Sequence, residues 1–397
     1  MKVRFLLHDV YGPGGGVVTV TLALAEELAK RHDVELVSVF GSNRPSVHAL
    51  PSNVRVTSLV RPARDAQGGL AGRARAWASS RPSRVIPTAE RRHDQYSRYS
   101  DQVLRRYLRS LDGGVLVTMQ PGLNVAAARL GTNRYVRIAQ DHLPIKARPR
   151  QLLEAYQQHA DGLDMFLVLT KADARRARRL LGDRVPVRSM GNGTPDYAGP
   201  HSTQENKTVA AAGRLARIKG FDLLIAAWVQ VAAAHPDWQL EIWGEGGLRG
   251  ELEQQIEELG LRDQVRLMGY SNQLEVELSR ASLFVLSSRA EGWGMVLVEA
   301  MACAVPVISV DCPTGPREIV TSGVNGVLVP TEDPAALGAA INDMIERGPE
   351  ARRDMGRAGL ARARELSQSS VAERWESLFT ELDAQRRSTG RRRTLAR

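Results

Sequence analysis

Glu291 and Glu299 stand eight positions apart in Glu291-Gly292-Trp293-Gly294-Met295-Val296-Leu297-Val298-Glu299, between the apolar runs 283–287 and 306–310. The pattern reads as strand, glycine-broken turn, helix, strand, with one carboxylate at the mouth of the turn and the other about a turn and a half into the helix. In an open parallel sheet such a turn lies at the carboxyl ends of the strands, where helix N-termini offer unpaired N–H groups to anions. Two carboxylates so placed can hold sugar hydroxyls while the helix end faces phosphate.

Cations follow the same logic. Gly213-Arg214-Leu215 ends an apolar run and Ile218-Lys219-Gly220-Phe221 opens a helix, so Arg214 and Lys219 fall at one sheet edge, where they could grip a diphosphate. A third turn, Trp243-Gly244-Glu245-Gly246-Gly247, breaks at that edge too. Near the N-terminus, His8-Asp9 precedes the glycine-dense loop Gly12-Pro13-Gly14-Gly15-Gly16, where backbone N–H groups can approach a ligand without a Cβ in the way. Its spacing matches neither the nicotinamide fingerprint nor a Walker loop. A lone basic side chain is usually solvated and a tight turn alone explains glycines, so the convergence of several turns is what points to a nucleotide.

These turns need a frame of parallel strands and crossover helices, and the apolar runs supply one. Strands are expected at 3–8, 34–40, 54–59, 115–119, 135–139, 165–169 and 185–189, with a helix at 17–30 and Arg-rich helical segments over 65–110. The breaker-rich stretch 191–200 reads as an interdomain connection. A second series follows, with strands at 208–213, 240–243, 265–268, 283–286, 307–310 and 327–329 and helices at 219–235, 247–259, 333–347 and 368–384. A chain of 397 residues fits two cores better than one. The expected fold class is α/β, two doubly wound Rossmann-like domains facing a cleft.

On Gly213-Arg214-Leu215 with Lys219-Gly220, the glutamate pair, and the run Asp311-Cys312-Pro313-Thr314-Gly315-Pro316-Arg317-Glu318-Ile319-Val320, the sequence resembles the retaining glycosyltransferases of family four, which have the GT-B fold. The likeness spans nearly the whole chain and is most specific from Arg214 to Pro330. It implies an acceptor-side domain over 1–195, a nucleotide-sugar domain over 196–367, a helix over 368–385 crossing back to the first domain, and a basic, mobile tail over 386–397. It also implies roles. Arg214 and Lys219 would contact the donor phosphates. Glu291 would bond the sugar hydroxyls, with the N–H groups of Gly292, Trp293, Gly294, Met295 and Val296 near sugar and phosphate. Glu299 would hold the ribose, Gly244 and Glu245 would border the donor, and Gly14, Gly15 and Gly16 would lie against the diphosphate. His142, in Gln140-Asp141-His142, matches the histidine that reaches the sugar, so Glu291, Arg214, Lys219 and His142 form the expected catalytic set. Asp141 and Trp293 depart from the commoner residues at their sites. Thr170 resembles a Ser or Thr that ends a strand at the cleft; the alternatives are a helix N-cap for Thr170 and an ordinary loop histidine for His142.

The implied activity is transfer of a hexose, by the look of 312–316 from a UDP-sugar, with GDP-mannose the alternative, to a glycan or lipid-linked hydroxyl in polysaccharide or cell-envelope synthesis. Neither a metal nor a cofactor is expected, because no Asp-x-Asp pair ends a strand. Two other readings stay open: a nucleotide-sugar epimerase or a phosphorylase on the same fold, and a nucleic-acid-binding protein. A phosphorylase would need a pyridoxal lysine where only Lys207 and Lys219 occur; the basic reading finds no zinc-finger, helix-turn-helix or aromatic RNA-binding signature, so no nucleic-acid partner is expected.

The net charge of +10 comes from arginine, since only six of the 54 basic residues are Lys. Residues 61–109 hold twelve arginines against four acids, interleaved with Trp77, Val85, Ile86, Tyr96, Tyr99 and Tyr107. That composition suits an anionic membrane surface, or a plain solvated helical excursion. Cys303 and Cys312, the two cysteines, belong to no metal-binding pattern and read as buried thiols. No signal-peptide or spanning run is seen, so the expected location is cytoplasmic, with peripheral attachment at the inner membrane face.

Overall fold

The computed structural model describes residues 1–12, 15–43, 45–60 and 70–394. The chain divides into two compact units, Met1–Gly193 with Val371–Arg397, and Thr194–Ser370.

The first unit holds seven parallel strands: β1 (Lys2–Leu7), β2 (Asp33–Phe40), β3 (Arg55–Val60), β4 (Val115–Thr118), β5 (Val136–Asp141), β6 (Met165–Val168) and β7 (Val187–Ser189), in the order β3-β2-β1-β4-β5-β6-β7. In the second unit six parallel strands, β8 (Thr208–Ala212), β9 (Gln239–Trp243), β10 (Val265–Gly269), β11 (Leu283–Leu286), β12 (Val307–Val310) and β13 (Gly326–Val329), run β10-β9-β8-β11-β12-β13. Each is the doubly wound order, with the chain reversing its direction of travel across the sheet between β1 and β4 and between β8 and β11. β4, β6, β11 and β12 are buried along their whole length. That is why they read as continuous apolar runs rather than alternating ones: helices cover both faces of a parallel sheet. The expected α/β class with two Rossmann-like sheets is the observed one.

The final helix, Gln368–Thr394, starts in the second unit and from Val371 onward completes the core of the first. Val371, Trp375, Leu378, Phe379 and Leu382 pack with Phe5, Leu7 and Leu36, and the Trp375 indole meets the Phe5 ring edge-on at 6.5 Å. The tail expected from residue 386 is helical as far as Thr394, supported by the Arg387–Asp383 ion pair one turn apart at 2.7 Å. A helix the sequence analysis does not anticipate, Gly348–Glu365, is tied down by the buried Arg352, which donates to the Gln204, Met344 and Ile345 carbonyls and lies over Trp238.

The Arg-rich region resolves into helices Leu70–Ser79 and Arg98–Ser110 joined by an irregular segment; residues 61–69 lie outside the described residues. Here the expected surface needs correcting. Val85, Ile86 and Tyr96 are buried with Leu104 and Leu108, because the helix Arg98–Ser110 has one apolar face that must be covered. Trp77 is what remains outside, 52% exposed, with Arg81 and Arg98 over its ring and Arg75 over Tyr99.

Replacing Trp375 by Ala should lower the unfolding free energy by about 3–5 kcal/mol, the range for truncating a buried aromatic. Denaturant titration checks this, and a loss below about 1 kcal/mol would mean that the helix is dispensable to the first unit's core.

Candidate functional site

The second unit's site is built at the point where the sheet reverses. β8 and β11 are neighbours, paired Leu283 with Val209 and Phe284 with Ala210, so the loops leaving their carboxyl ends meet. Contact between those loops depends on Gly220. Its φ of 65° is left-handed, and a Cβ there would sit 2.1 Å from the Ser287 carbonyl oxygen. The Ser287 hydroxyl donates to the Lys219 carbonyl at 3.0 Å, and the Arg289 amide donates to Ile218 at 2.8 Å. Arg289 then forks onto Asp222, at 2.7 and 2.8 Å, and reaches Glu332 at 2.9 Å. That fork holds the Asp222 carboxyl below its usual range.

So clamped, Lys219 lies against Glu291: Nζ stands 2.6 Å from Oε1, and the buried Ser288 hydroxyl donates to the same oxygen at 2.6 Å. A third loop, after β12, closes on the turn from the other side. The Thr314 hydroxyl donates to the Glu291 carbonyl, and Gly315, with φ 93°, leaves no room for a Cβ beside the Trp293 carbonyl, 2.3 Å away. Gly294, with φ of 97°, gives the turn its bend, and the helix Met295–Ala302 starts there. Its first N–H groups, at Met295 and Val296, have no acceptors within the helix. Arg214 is exposed, and among the described residues its guanidinium has no partner. Gly244 meets the Gly213 carbonyl too closely for any side chain, and the Glu245 carbonyl accepts from the Leu215 amide at 2.9 Å while its carboxylate pairs with Arg249.

Glu299 lies half-buried in the same helix, and among the described residues its carboxylate has no hydrogen-bond partner. Burial first, and the Glu275 carboxylate second, push its carboxyl up to about 7, with Lys219 pulling the other way.

The remaining predicted residues belong to the first unit. Gly14 lies outside the described residues; Gly15 caps the helix Gly16–Leu28 at φ 64°, and the space a Cβ would take at Gly15 or Gly16 is open. His142 follows β5 and is 7% exposed, with Nε2 lacking any partner among the described residues. Its neighbour Asp141 is fully engaged, accepting from Arg148, from the Tyr156 hydroxyl at 2.9 Å and from the Leu143 amide at 3.1 Å. Burial lowers the His142 imidazole to about 4; Asp141 raises it and Arg148 lowers it. Thr170 accepts from the Asp173 amide as the N-cap of the helix Lys171–Leu181.

Sequence reasoning missed Ser287, Ser288, Arg289 and Asp222, whose work is to fix the loops, and gave Thr314 no role of its own. Only their adjacency to the glutamate turn and to Gly220 could have signalled them. It also missed the buried His8, whose ring bonds Tyr96 and Gln95 at 2.9 and 2.7 Å. Among the described residues no group of His, Cys, Asp or Glu could hold a metal, and no helix is long and apolar enough to cross a membrane.

With this geometry in hand, residues 198–362 match the family model described as Glycosyl transferases group 1. An exopolysaccharide phosphotransferase of Streptomyces coelicolor is 33% identical over 398 aligned residues, covering 97% of this chain but 41% of that protein. The chain thus spans about two fifths of that relative. An uncharacterized glycosyltransferase of Haemophilus influenzae is 28% identical over 382 residues, covering 95% and 99% of the two chains. Among solved structures, Anabaena HepE in complex with UDP superposes with a TM-score of 0.74 at 18% identity, covering 96% and 100%. The fold is that of the GT-B glycosyltransferases.

The Glu299 carboxyl gives a pH test. Unfolded it titrates near 4.5 and folded at about 7, so the folded state holds the proton more tightly. The stability this confers is complete below pH 4.5 and is lost as pH rises through 7. Glu299→Gln should remove that loss: melting temperatures of the two proteins should lie close at about pH 5 and separate, with the variant higher, above about pH 7. Parallel profiles across that window would contradict the raised carboxyl.

Proposed function

We propose that this protein is a retaining glycosyltransferase of family four that moves a hexose from a nucleoside-diphosphate sugar, UDP-linked in the first instance, to a hydroxyl of a glycan or lipid-linked acceptor. The observation that carries this reading is the gathering of Lys219, Arg214, Glu291 and Glu299 on loops and a helix at the carboxyl ends of β8 and β11. Fixed positive charge suits a diphosphate and carboxylates suit hydroxyls. The UDP bound by HepE, a protein of the same fold, makes UDP the first nucleotide to try.

In this reading the helix start at Met295 and Val296, with Arg214 and Lys219, receives the two phosphates; Glu291 takes sugar hydroxyls and Glu299 the ribose. The bond from the anomeric carbon to the β-phosphate oxygen breaks with its electron pair passing to that oxygen. The acceptor oxygen bonds the anomeric carbon on the same face and its proton passes to the departing phosphate. The basic side chains balance the developing charge, so no metal is assigned a role. His142, neutral at physiological pH and with a ring nitrogen that has no partner among the described residues, is available as a hydrogen-bond partner rather than as a charged group.

A panel of nucleotide sugars in thermal unfolding is the first test, since a ligand at ~100 times its dissociation constant adds about 2.7 kcal/mol. The expected result is stabilisation by a UDP-hexose, and a product whose anomeric configuration, read by NMR, equals the donor's, formed undiminished in excess chelator. An inverted product, a strict magnesium or manganese requirement, or donor isomerisation without acceptor would each replace the mechanism.

The second part of the reading is an anionic membrane surface as the protein's workplace, supported by Trp77 standing exposed between Arg81 and Arg98. Phosphatidylglycerol vesicles should carry the protein upward in flotation at low salt and release it at high salt. Trp77→Ala should weaken this capture; no flotation at low salt removes the membrane from the proposal.

A further inference from the structure

We propose that the Lys219–Glu291 pair makes the site select an intact nucleotide sugar over the nucleoside diphosphate that remains once the sugar has left. This rests on the donor-site reading above and adds to it a coupling between the two halves of the ligand.

Nζ of Lys219 lies 2.6 Å from Oε1 of Glu291, and the side chains are 23% and 11% exposed, so the two charges face each other largely out of water. Their field on surrounding groups is then nearly that of a neutral pair. A diphosphate arriving alone meets an ammonium that is already engaged. It must either share the cation with a carboxylate or draw it away, and if drawn away it leaves Glu291 with the Ser288 hydroxyl alone. Leaving a part-buried carboxylate short of donors is unfavourable.

Retreat of the backbone offers no relief. Gly220 packs its Cα against the Ser287 carbonyl, the Ser287 hydroxyl holds the Lys219 carbonyl, and Arg289 binds Arg217, Ile218 and Asp222 together. Lys219 can move only by its side chain. An intact donor removes the conflict, since its hexose hydroxyls donate to the carboxylate as its phosphate takes the ammonium. Arg214 and the N–H groups of Met295 and Val296 serve phosphate equally in donor and product, so they strengthen both without discriminating. As the sugar departs, the pair can close again and weaken the hold on the diphosphate.

Calorimetric titration of UDP and of UDP-glucose against wild type, Glu291→Gln, Lys219→Ala and the double variant reads this directly. Glu291→Gln frees the ammonium and should bind UDP about fivefold tighter, the scale of a partly exposed ion pair. The same variant should bind UDP-glucose no tighter than wild type does. In the Lys219→Ala background the Glu291→Gln gain on UDP should vanish, which separates the pair from a general change of charge. Ser288→Ala, which keeps both charges but leaves the carboxylate leaning more on Lys219, should bind UDP more weakly and serves if Glu291→Gln does not fold. Unchanged or weaker UDP binding by folded Glu291→Gln, or a gain that persists without Lys219, overturns the coupling while leaving the donor site standing. Wild type that binds neither UDP nor UDP-glucose overturns both.

Discussion

The close approach of Gly220 to Ser287 is the constraint on which the second unit's chemistry depends. Two strands that neighbour each other in the sheet, β8 and β11, are separated in sequence by a whole α-β-α-β-α excursion through β9 and β10. Strand pairing brings their loops to one edge; a carbonyl oxygen seated where a Cβ would stand lets them touch, and only glycine permits it at a left-handed φ of 65°. Once that contact forms, the Ser287 hydroxyl, the Arg289 amide and the Arg289–Asp222 fork follow as short-range consequences. The loops become one rigid ledge carrying a cation and a carboxylate. Gly244 against Gly213 and Gly315 against Trp293 repeat the device on the flanking loops. The glycine richness of this edge is thus a matter of backbone meeting backbone as much as of backbone meeting ligand.

Much of this was readable from the amino acids. Continuous apolar runs such as 283–286 and 307–310 identify strands covered on both faces, and their alternation with helical segments fixes a parallel, doubly wound sheet. The positions of Lys219, Glu291 and Glu299 at strand ends followed from the same pattern. What could not be read was their mutual relation. That Lys219 and Glu291 pair with each other is not legible in their spacing, because tertiary contact decides which charges meet. The burial of Val85, Ile86 and Tyr96 escaped for a similar reason: in an arginine-dense stretch, composition hides the one apolar face that a helix turns inward.

The first unit handles buried polarity differently. Asp141, at the end of β5, satisfies its carboxylate with Arg148, Tyr156 and a backbone amide, while Asn124 links Thr118 to the Gln140 carbonyl beside it. Every one of these groups has a partner, which is the condition for a polar cluster inside a core. His142, adjoining that cluster, keeps a bare ring nitrogen. The contrast singles it out better than its sequence neighbourhood does.

The path of the last helix has a bearing on how the molecule comes into being. Val371 to Leu382 fill the interior that Phe5, Leu7 and Leu36 began to form some 360 positions earlier in the chain. During translation the sheet of the first unit must therefore wait, with that apolar face uncovered, until residues 371–382 have been made, after all the strands of the segment 194–370. The first unit can therefore close its core only after every strand of the second has been made.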